Sequence, residues 1–358
     1  MKILFLLPYP LKQAPSQRFR VEQYLPVLAA AGHTWEIQTF LIETKGRPQF
    51  SRKSAVAQTV DVFLGFARRL GILLRIRAFD VVFIHREAAP VGPPVIEWMI
   101  AFFTNSRIVY DFDDAIWLTD DQHESWIKKM VKWRSKVRSI CRWSYKISCG
   151  NEWLAEFATR QNQKVVVNPT TIDTTLQHAR SLYTSESNKD NVTIGWTGSS
   201  TTLKYLAPLE SVLQRLESEF PHLKFLVIAD RPPAIPVPML QFRKWSIESE
   251  AKDLMSVDIG VMPLPDDEWS KGKCGFKALQ YMAMEIPVVL SPVGANLQIV
   301  TEGEDGFFAS SETEWYDRLS MLITDGTLRR EMGRKGRSTV VNHYSVSSNS
   351  PVFLSLFE

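Results

Sequence analysis

Cysteine is scarce in this chain of 358 residues: Cys141, Cys149 and Cys274 are odd in number and share no metal-ligand spacing. That argues against a disulfide framework and suits a reducing compartment. Long apolar runs are absent too. None reaches the ~18 uninterrupted residues of a membrane-crossing helix. Residues 1–7 (MKILFLL) carry a lysine and a short apolar run before Pro8, which reads as a strand rather than a secretory signal. Charge imbalance is small, a net +3 with a pI near 8.6, too mild to argue for nucleic acid. Neither Gly-x-Gly-x-x-Gly nor a Gly-Lys-Ser/Thr ending occurs, so neither the dinucleotide fingerprint nor the P-loop is supported. What remains is a cytosolic-type chain with 45% apolar residues, enough for two compact domains with separate cores.

The first half reads as alternating strands and helices. Residues 3–7 are continuously apolar, as in a central strand of a parallel sheet. Pro8-Tyr-Pro10 stops that strand, and a loop with Ser16, Gln17 and Arg18 leads to a helix with Val21, Tyr24, Leu25 and Leu28 on one face. In open α/β sheets ligands bind beyond the carboxyl ends of strands. Arg18 and Arg20 are therefore either ligand contacts or surface arginines at a helix start. Residues 81–84 predict another strand, with His85-Arg86-Glu87 at its end. That trio is either functional or a structural histidine beside a surface ion pair of little energetic weight. Residues 108–110 predict the next strand, ending in Asp111-Phe-Asp-Asp114. Three acids in four residues repel one another and need donors, a cation or solvent. Capping, Mg²⁺ ligation and contact with sugar hydroxyls all answer that need.

Residues 127–146 predict one basic amphipathic helix, with Ile127, Met130, Val131, Val137, Ile140 and Cys141 recurring at helical spacing. Lysines, arginines, Trp133 and Trp143 cover the rest. Such a helix either lies on an anionic membrane or presents a solvated face over the core. Residues 174–191 are polar without apolar period, the expected interdomain linker.

After residues 192–196, a strand, comes Thr197-Gly-Ser-Ser-Thr-Thr202 and a helix expected over 204–220. Small hydroxyl residues and glycine between strand and helix make an anion-friendly terminus. A second such place lies further on. Residues 259–262 predict a strand closed by Pro263 and Pro265; a loop with Lys271, Lys273 and Lys277 opens into a helix from about Phe276, and residues 287–290 form the next strand. The amide end of that helix favours an anion, and added lysines favour a phosphate. A merely solvated Lys/Gly loop is the alternative.

The order strand, Pro-Leu-Pro, Gly275-Phe-Lys-Ala-Leu-Gln-Tyr-Met-Ala283, Ile-Pro-Val-Val289, Pro-Val-Gly294 and Asp305-Gly-Phe307 resembles the donor-binding domain of the group 1 (family 4) glycosyltransferases. The resemblance runs well over 192–344 and weakly over the first domain. It implies a GT-B architecture: α/β, two Rossmann-like domains facing each other across a cleft. The expected division is 1–173 for the acceptor side, 174–191 for the linker, 192–345 for the nucleotide-sugar donor domain and 346–358 for a C-terminal segment. In the family the helix after the basic loop carries the second of two glutamates; here that position is Gln280 and the first falls on Gly272. Gln280 is then expected to hold a ribose hydroxyl. The family's diphosphate-gripping lysine matches Lys204, while Ser199 stands where its arginine would be, so Lys273 or Lys277 is expected to supply the missing charge.

The resemblance thus implies transfer of a sugar from a nucleotide-diphospho-sugar to a glycan, glycolipid or polysaccharide precursor, with retention of configuration. Lys204, Lys273 and Lys277 would stabilise the leaving diphosphate. Gly198, Ser199, Ser200, Gly275, Phe276 and Gln280 would bind the donor, and Arg18, Arg86, Glu87, Asp113 and Asp114 would face the acceptor. No metal and no cofactor are expected, because transferases of this fold generally neutralise the diphosphate with basic groups and helix dipoles. A histidine often found near residues 111–114 in the family is missing from that stretch. No nucleic-acid partner is expected, and the location is cytoplasmic, with peripheral contact to the inner membrane face through 127–146 if the acceptor is lipid-linked. A non-catalytic sugar-binding or scaffold homologue and a nucleotide-sugar epimerase are the competing readings.

Overall fold

The computed structural model describes residues 1–42, 55–119, 124–183 and 191–358. The chain forms two compact units, one of Met1–Thr170 with Asn349–Glu358 and the other of Thr171–Ser348.

In the first unit β1 (Lys2–Leu7), β2 (Thr34–Thr39), β3 (Val81–His85), β4 (Arg107–Phe112), β5 (Lys146–Cys149) and β6 (Val165–Val167) form a sheet in the order β2-β1-β3-β4-β5-β6. All neighbours are parallel. The continuous apolar run of β1 is explained by its place: Ile3, Leu4, Phe5, Leu6 and Leu7 are wholly buried at the centre of the sheet. Each such side chain contributes about 1.5–3 kcal/mol relative to exposure. The chain's final residues complete this core. Phe353 stacks on Tyr24 with ring centroids 4.2 Å apart, and Phe357 meets Phe83 at 6.1 Å. The C-terminal segment expected to be short is thus a helix, Val346–Ser355, whose last turns belong to the first unit.

The second unit repeats the plan with β7 (Thr193–Thr197), β8 (Lys224–Ala229), β9 (Leu240–Lys244), β10 (Ile259–Met262), β11 (Val288–Leu290) and β12 (Phe307–Phe308), ordered β12-β11-β10-β7-β8-β9. These strands are also parallel. Strand order reverses between β1 and β3 in one sheet and between β7 and β10 in the other. At such a switch point the connections leave in opposite directions and open a crevice. The two predicted sites lie beyond those strand ends.

Three expectations need correction. Residues 127–146 are not one helix but two, Trp126–Lys132 and Lys136–Trp143, because Trp133 adopts φ 48°, the left-handed conformation that ends a helix. The helix over 204–220 begins as a 3₁₀ helix, Leu203–Leu209, and becomes α-helical only at Glu210–Glu219, since Pro208 lacks the N–H an α-helix interior needs. The linker expected over 174–191 is not set apart from the second unit over 174–183. Residues 171–183 belong to the second unit, where the Ile172 N–H donates to the Tyr344 carbonyl at 2.9 Å and His178 is fully buried; residues 184–190 lie outside the described residues.

Candidate functional site

In the first unit the site is built from the ends of β1, β3, β4 and β5. Parallel register sets His85, the last residue of β3, beside Asp111 on β4. His85 Nδ1 lies 2.7 Å from Asp111 Oδ2, and its Nε2 lies 2.9 Å from Ser16 Oγ on the short helix Pro15–Arg20 that follows β1, where a loop was expected. A serine, a histidine and an aspartate therefore stand in a row. Asp111 is wholly buried and also takes bonds from the Arg20 guanidinium and from Ser148 Oγ at 2.6 Å. Arg20 bonds the Asn168 carbonyl as well, which ties the last strand connection into the network. Burial alone would raise the Asp111 carboxyl; Arg20 and the His85 bond outweigh it and hold it below the usual carboxylate value.

The other two acids of the cluster answer to Arg86. Its Nε and Nη2 donate to Asp113 at 3.0 and 2.9 Å, and Nη2 also bonds Asp114. Arg86 sits at φ 62°, a left-handed conformation costly for a residue that carries a Cβ and held here by those pairs. For Asp113, burial pushes upward, but Arg86, then His85 and Arg20, bring it well below the ordinary range. The repulsion expected within Asp111–Asp114 is thus relieved by Arg20 and Arg86. Among the described residues no group of three or more His, Cys, Asp or Glu is arranged to hold a metal ion.

Two acceptor-side expectations fare differently. Glu87 turns away from the cluster: Lys136 Nζ meets its Oε2 at 2.5 Å and also donates to the Ala89 carbonyl at 2.8 Å, so the carboxylate anchors the helix Lys136–Trp143. Arg18 is buried, its guanidinium 4.9 Å from the Phe19 ring centroid. His85 stands beside the stretch 111–114 on the neighbouring strand. His85, Ser16 and Arg20 come together only through β1–β3–β4 pairing, so their joint role had no local signal beyond each residue's place at a strand end.

In the second unit, Gly275 (φ 65°) opens the helix Phe276–Ala283, and a Cβ there would lie 2.1 Å from Ile299 Cδ1. Lys277 Nζ lies 5.3 Å from the Trp196 ring at the end of β7, and Lys273 Nζ lies 5.1 Å from the Trp269 ring. Tyr281 Oη accepts from the Thr197 N–H at 2.8 Å, which locks this helix onto the β7 turn. Gly198 follows at once; a Cβ on it would strike the Trp196 ring at 2.4 Å. The structure therefore brings Lys277, Trp196 and Gly198 to one place beside the β7–β10 switch point. Lys204 stands just beyond the turn on the 3₁₀ helix, exposed, with Nζ 5.5 Å from the Tyr205 ring.

The turn amides are not open as expected. Gly198 N–H donates to the Ile228 carbonyl, Ser199 N–H to Thr202 Oγ1 at 3.2 Å, and Ser200 N–H to Asp230 Oδ1 at 2.5 Å. Asp230 also accepts from Ser200 Oγ at 2.8 Å, placing a carboxylate at the turn meant for a diphosphate. Gln280, expected to hold a ribose hydroxyl, is 2% exposed, with Nε2 3.4 Å from His178 Nε2. Ser270 Oγ, on the helix Glu268–Lys271, and Asn296 Oδ1, on the helix Asn296–Ile299, are buried without a hydrogen-bond partner.

Residues 192–325 match the family described as glycosyl transferases group 1. No curated protein matches the sequence. Among solved structures, the chain is similar to sucrose-phosphate synthase from Thermosynechococcus elongatus, with TM-score 0.71 and 13% identity over 99% of this chain and 98% of that one. It is also similar to HepE from Anabaena in complex with UDP and glucose, with TM-score 0.68 and 14% identity over 99% and 98%. A glycosyltransferase from Rickettsia africae gives TM-score 0.68 and 13% identity over 99% and 97%.

Proposed function

We propose that this chain, whose residues 192–325 match the group 1 glycosyl transferases and which shares its fold with solved glycosyltransferases, moves a sugar from a nucleotide-diphospho-sugar to a hydroxyl of a glycan, glycolipid or polysaccharide precursor, with retention of configuration. The observation that carries the donor side is the meeting of Lys277, Trp196 and Gly198 at the switch point, inside the matched region. HepE, which shares the fold, holds UDP and glucose; a nucleoside diphosphate is the corresponding ligand here.

In this reading Lys277 and Lys273 take the charge that develops on the leaving diphosphate, with Lys204, exposed on the 3₁₀ helix after the turn, as a third cation. Preorganised cations at that position lower the barrier because they need no reorientation as charge moves. The donor's phosphate oxygen receives the acceptor proton, so no side-chain nucleophile and no metal or cofactor is invoked. On the acceptor side Ser16 Oγ and the Asp113–Arg86–Asp114 cluster offer hydroxyl-binding groups, with His85 held in one orientation by Asp111. The place of action is the cytoplasmic face of a membrane when the acceptor is lipid-linked.

A thermal-shift screen with UDP, GDP, ADP, CMP and TDP tests the donor site, because a ligand of the folded state raises the melting temperature. Stabilisation by one nucleoside diphosphate, lost in Lys277→Ala, supports the reading. The engaged turn amides and buried Gln280 favour one second reading, a non-catalytic sugar-binding or scaffold homologue. No shift with any nucleotide would make that reading the better one.

A further inference from the structure

The outer side of the first unit's helical layer is apolar where solvent-facing helices are ordinarily polar. The helix Ala55–Leu73 packs beside Val95–Phe103, which packs beside Lys136–Trp143. Inward-facing Arg69 and Ile72 meet the sheet side. Outward, Phe63 and Leu70 on the first helix and Leu74 just past its end fall at helical spacing, and Phe63 and Leu74 are 72% and 90% exposed. On the second helix Trp98, Phe102 and Phe103 are exposed and touch one another, with Phe102 reaching Trp143 at 5.9 Å.

The helix Trp126–Lys132 strengthens the pattern. It buries no residue, although four of its seven side chains are apolar, and Trp126 is 70% exposed. It is nevertheless fixed in place. The Gly92 N–H donates to the Val131 carbonyl at 2.8 Å, and Arg134 forks onto buried Glu124 at 2.6 and 2.7 Å. A tethered helix with no core to cover is built for an external one. From Trp126 to Trp143 every charged residue is a lysine or arginine, so the external phase is apolar with an anionic boundary. An anionic bilayer surface has that chemistry: aromatic rings seat at the headgroup level while lysines reach lipid phosphates.

We propose that the exposed faces of helices Ala55–Leu73, Val95–Phe103 and Trp126–Lys132 together form a membrane-docking surface for anionic phospholipid bilayers. This extends the contact expected at 127–146 to two more helices. It stands on exposure and charge and does not require the transferase reading.

The test is co-sedimentation of the full chain with phosphatidylcholine vesicles, with and without phosphatidylglycerol, alongside Phe63→Ser/Leu74→Ser, Trp98→Ser/Phe102→Ser and Trp126→Ser/Met130→Ser. The altered side chains are solvent-facing, so the fold is retained; circular dichroism and the nucleotide thermal shift verify that. Expected are binding that needs phosphatidylglycerol, at least about tenfold weaker partition in each double variant, and tryptophan quenching by brominated lipid. No sedimentation of the unaltered chain with anionic vesicles overturns the proposal, as does binding undiminished in all three variants. A dimer that Phe63→Ser/Leu74→Ser dissociates, without vesicle binding, assigns the face to a second copy and overturns it too. Failure of nucleotide binding alone bears on the transferase reading and leaves this one standing.

Discussion

Replacing Asp111 with Asn should destabilise the first unit by about 3–5 kcal/mol, the usual cost of removing one partner from a buried ion pair. Both side chains of the Arg20–Asp111 pair are fully buried, so solvent offers the stranded guanidinium nothing. Arg20 keeps the Asn168 carbonyl and Ser148 Oγ, and the Asn oxygen preserves one acceptor; these place the cost near the lower figure. The charge of the arginine, though, has lost its counterion. In an Arg20→Met background that penalty disappears, and the same Asp111→Asn change should cost about 1 kcal/mol, a coupling of about 2 kcal/mol. Urea unfolding followed by circular dichroism measures this, with the first unit's transition fitted separately because a chain of two units need not unfold in one step. An Asp111→Asn cost under about 1 kcal/mol, or an equal cost in both backgrounds, would refute the assignment of Asp111 as the counterion of Arg20.

Lys273→Ala and Lys277→Ala should each weaken nucleoside-diphosphate affinity by about tenfold, in keeping with loss of one charge-assisted contact; isothermal titration showing unchanged affinity in both removes them from the donor site. Gly333→Ala should destabilise the second unit by about 1–3 kcal/mol, because the added Cβ would lie 2.0 Å from the Glu285 carbonyl oxygen, a backbone atom that cannot swing aside. A wild-type melting temperature in that variant would disprove the contact. Acid should unfold the first unit through Asp111 and Asp113. Both carboxyls are held below their ordinary value of 3.8, so the stability they supply is complete above that value and is lost as pH falls through the lower folded values. Asp113→Asn should flatten the melting-temperature profile below about pH 4, and an unchanged slope would contradict the pairing with Arg86.

The strands could be read from the chain because parallel strands buried on both faces are continuously apolar, as in residues 3–7 and 287–290. The matched stretch 192–325 was legible for a different reason: its glycines and prolines keep a fixed order along one continuous stretch. The first-unit site was not legible as a set. His85 and Asp111 are adjacent only through register between β3 and β4, and Ser16 and Arg20 arrive from the connection after β1. Residue type at a strand end marks a candidate, but pairing across strands decides its partner. Trp133 ends a helix in a conformation bulky residues seldom adopt, so a pattern of apolar spacing ran straight through the break. Gln280 looked like a ligand contact by family position; only the packing of His178, a hundred residues earlier in the chain, shows it as interior. Whether backbone amides at a turn stay open for an anion likewise depended on Asp230, carried by a different strand.

The return of residues 349–358 to the first unit makes the second unit an insertion within the first, entered and left once each. Its two ends are clasped where the strand-like bridge of Ile172 and Ser345 forms, so the inserted piece begins and finishes at one place. Modules with neighbouring termini are the ones evolution can exchange, because swapping one leaves the host's core intact. A second unit of different ligand preference could therefore be spliced between Thr170 and Asn349, provided Phe353 and Phe357 remain to fill the host. Truncation at residue 170 would instead leave a hole beneath Tyr24 and Phe83 where Phe353 and Phe357 belong.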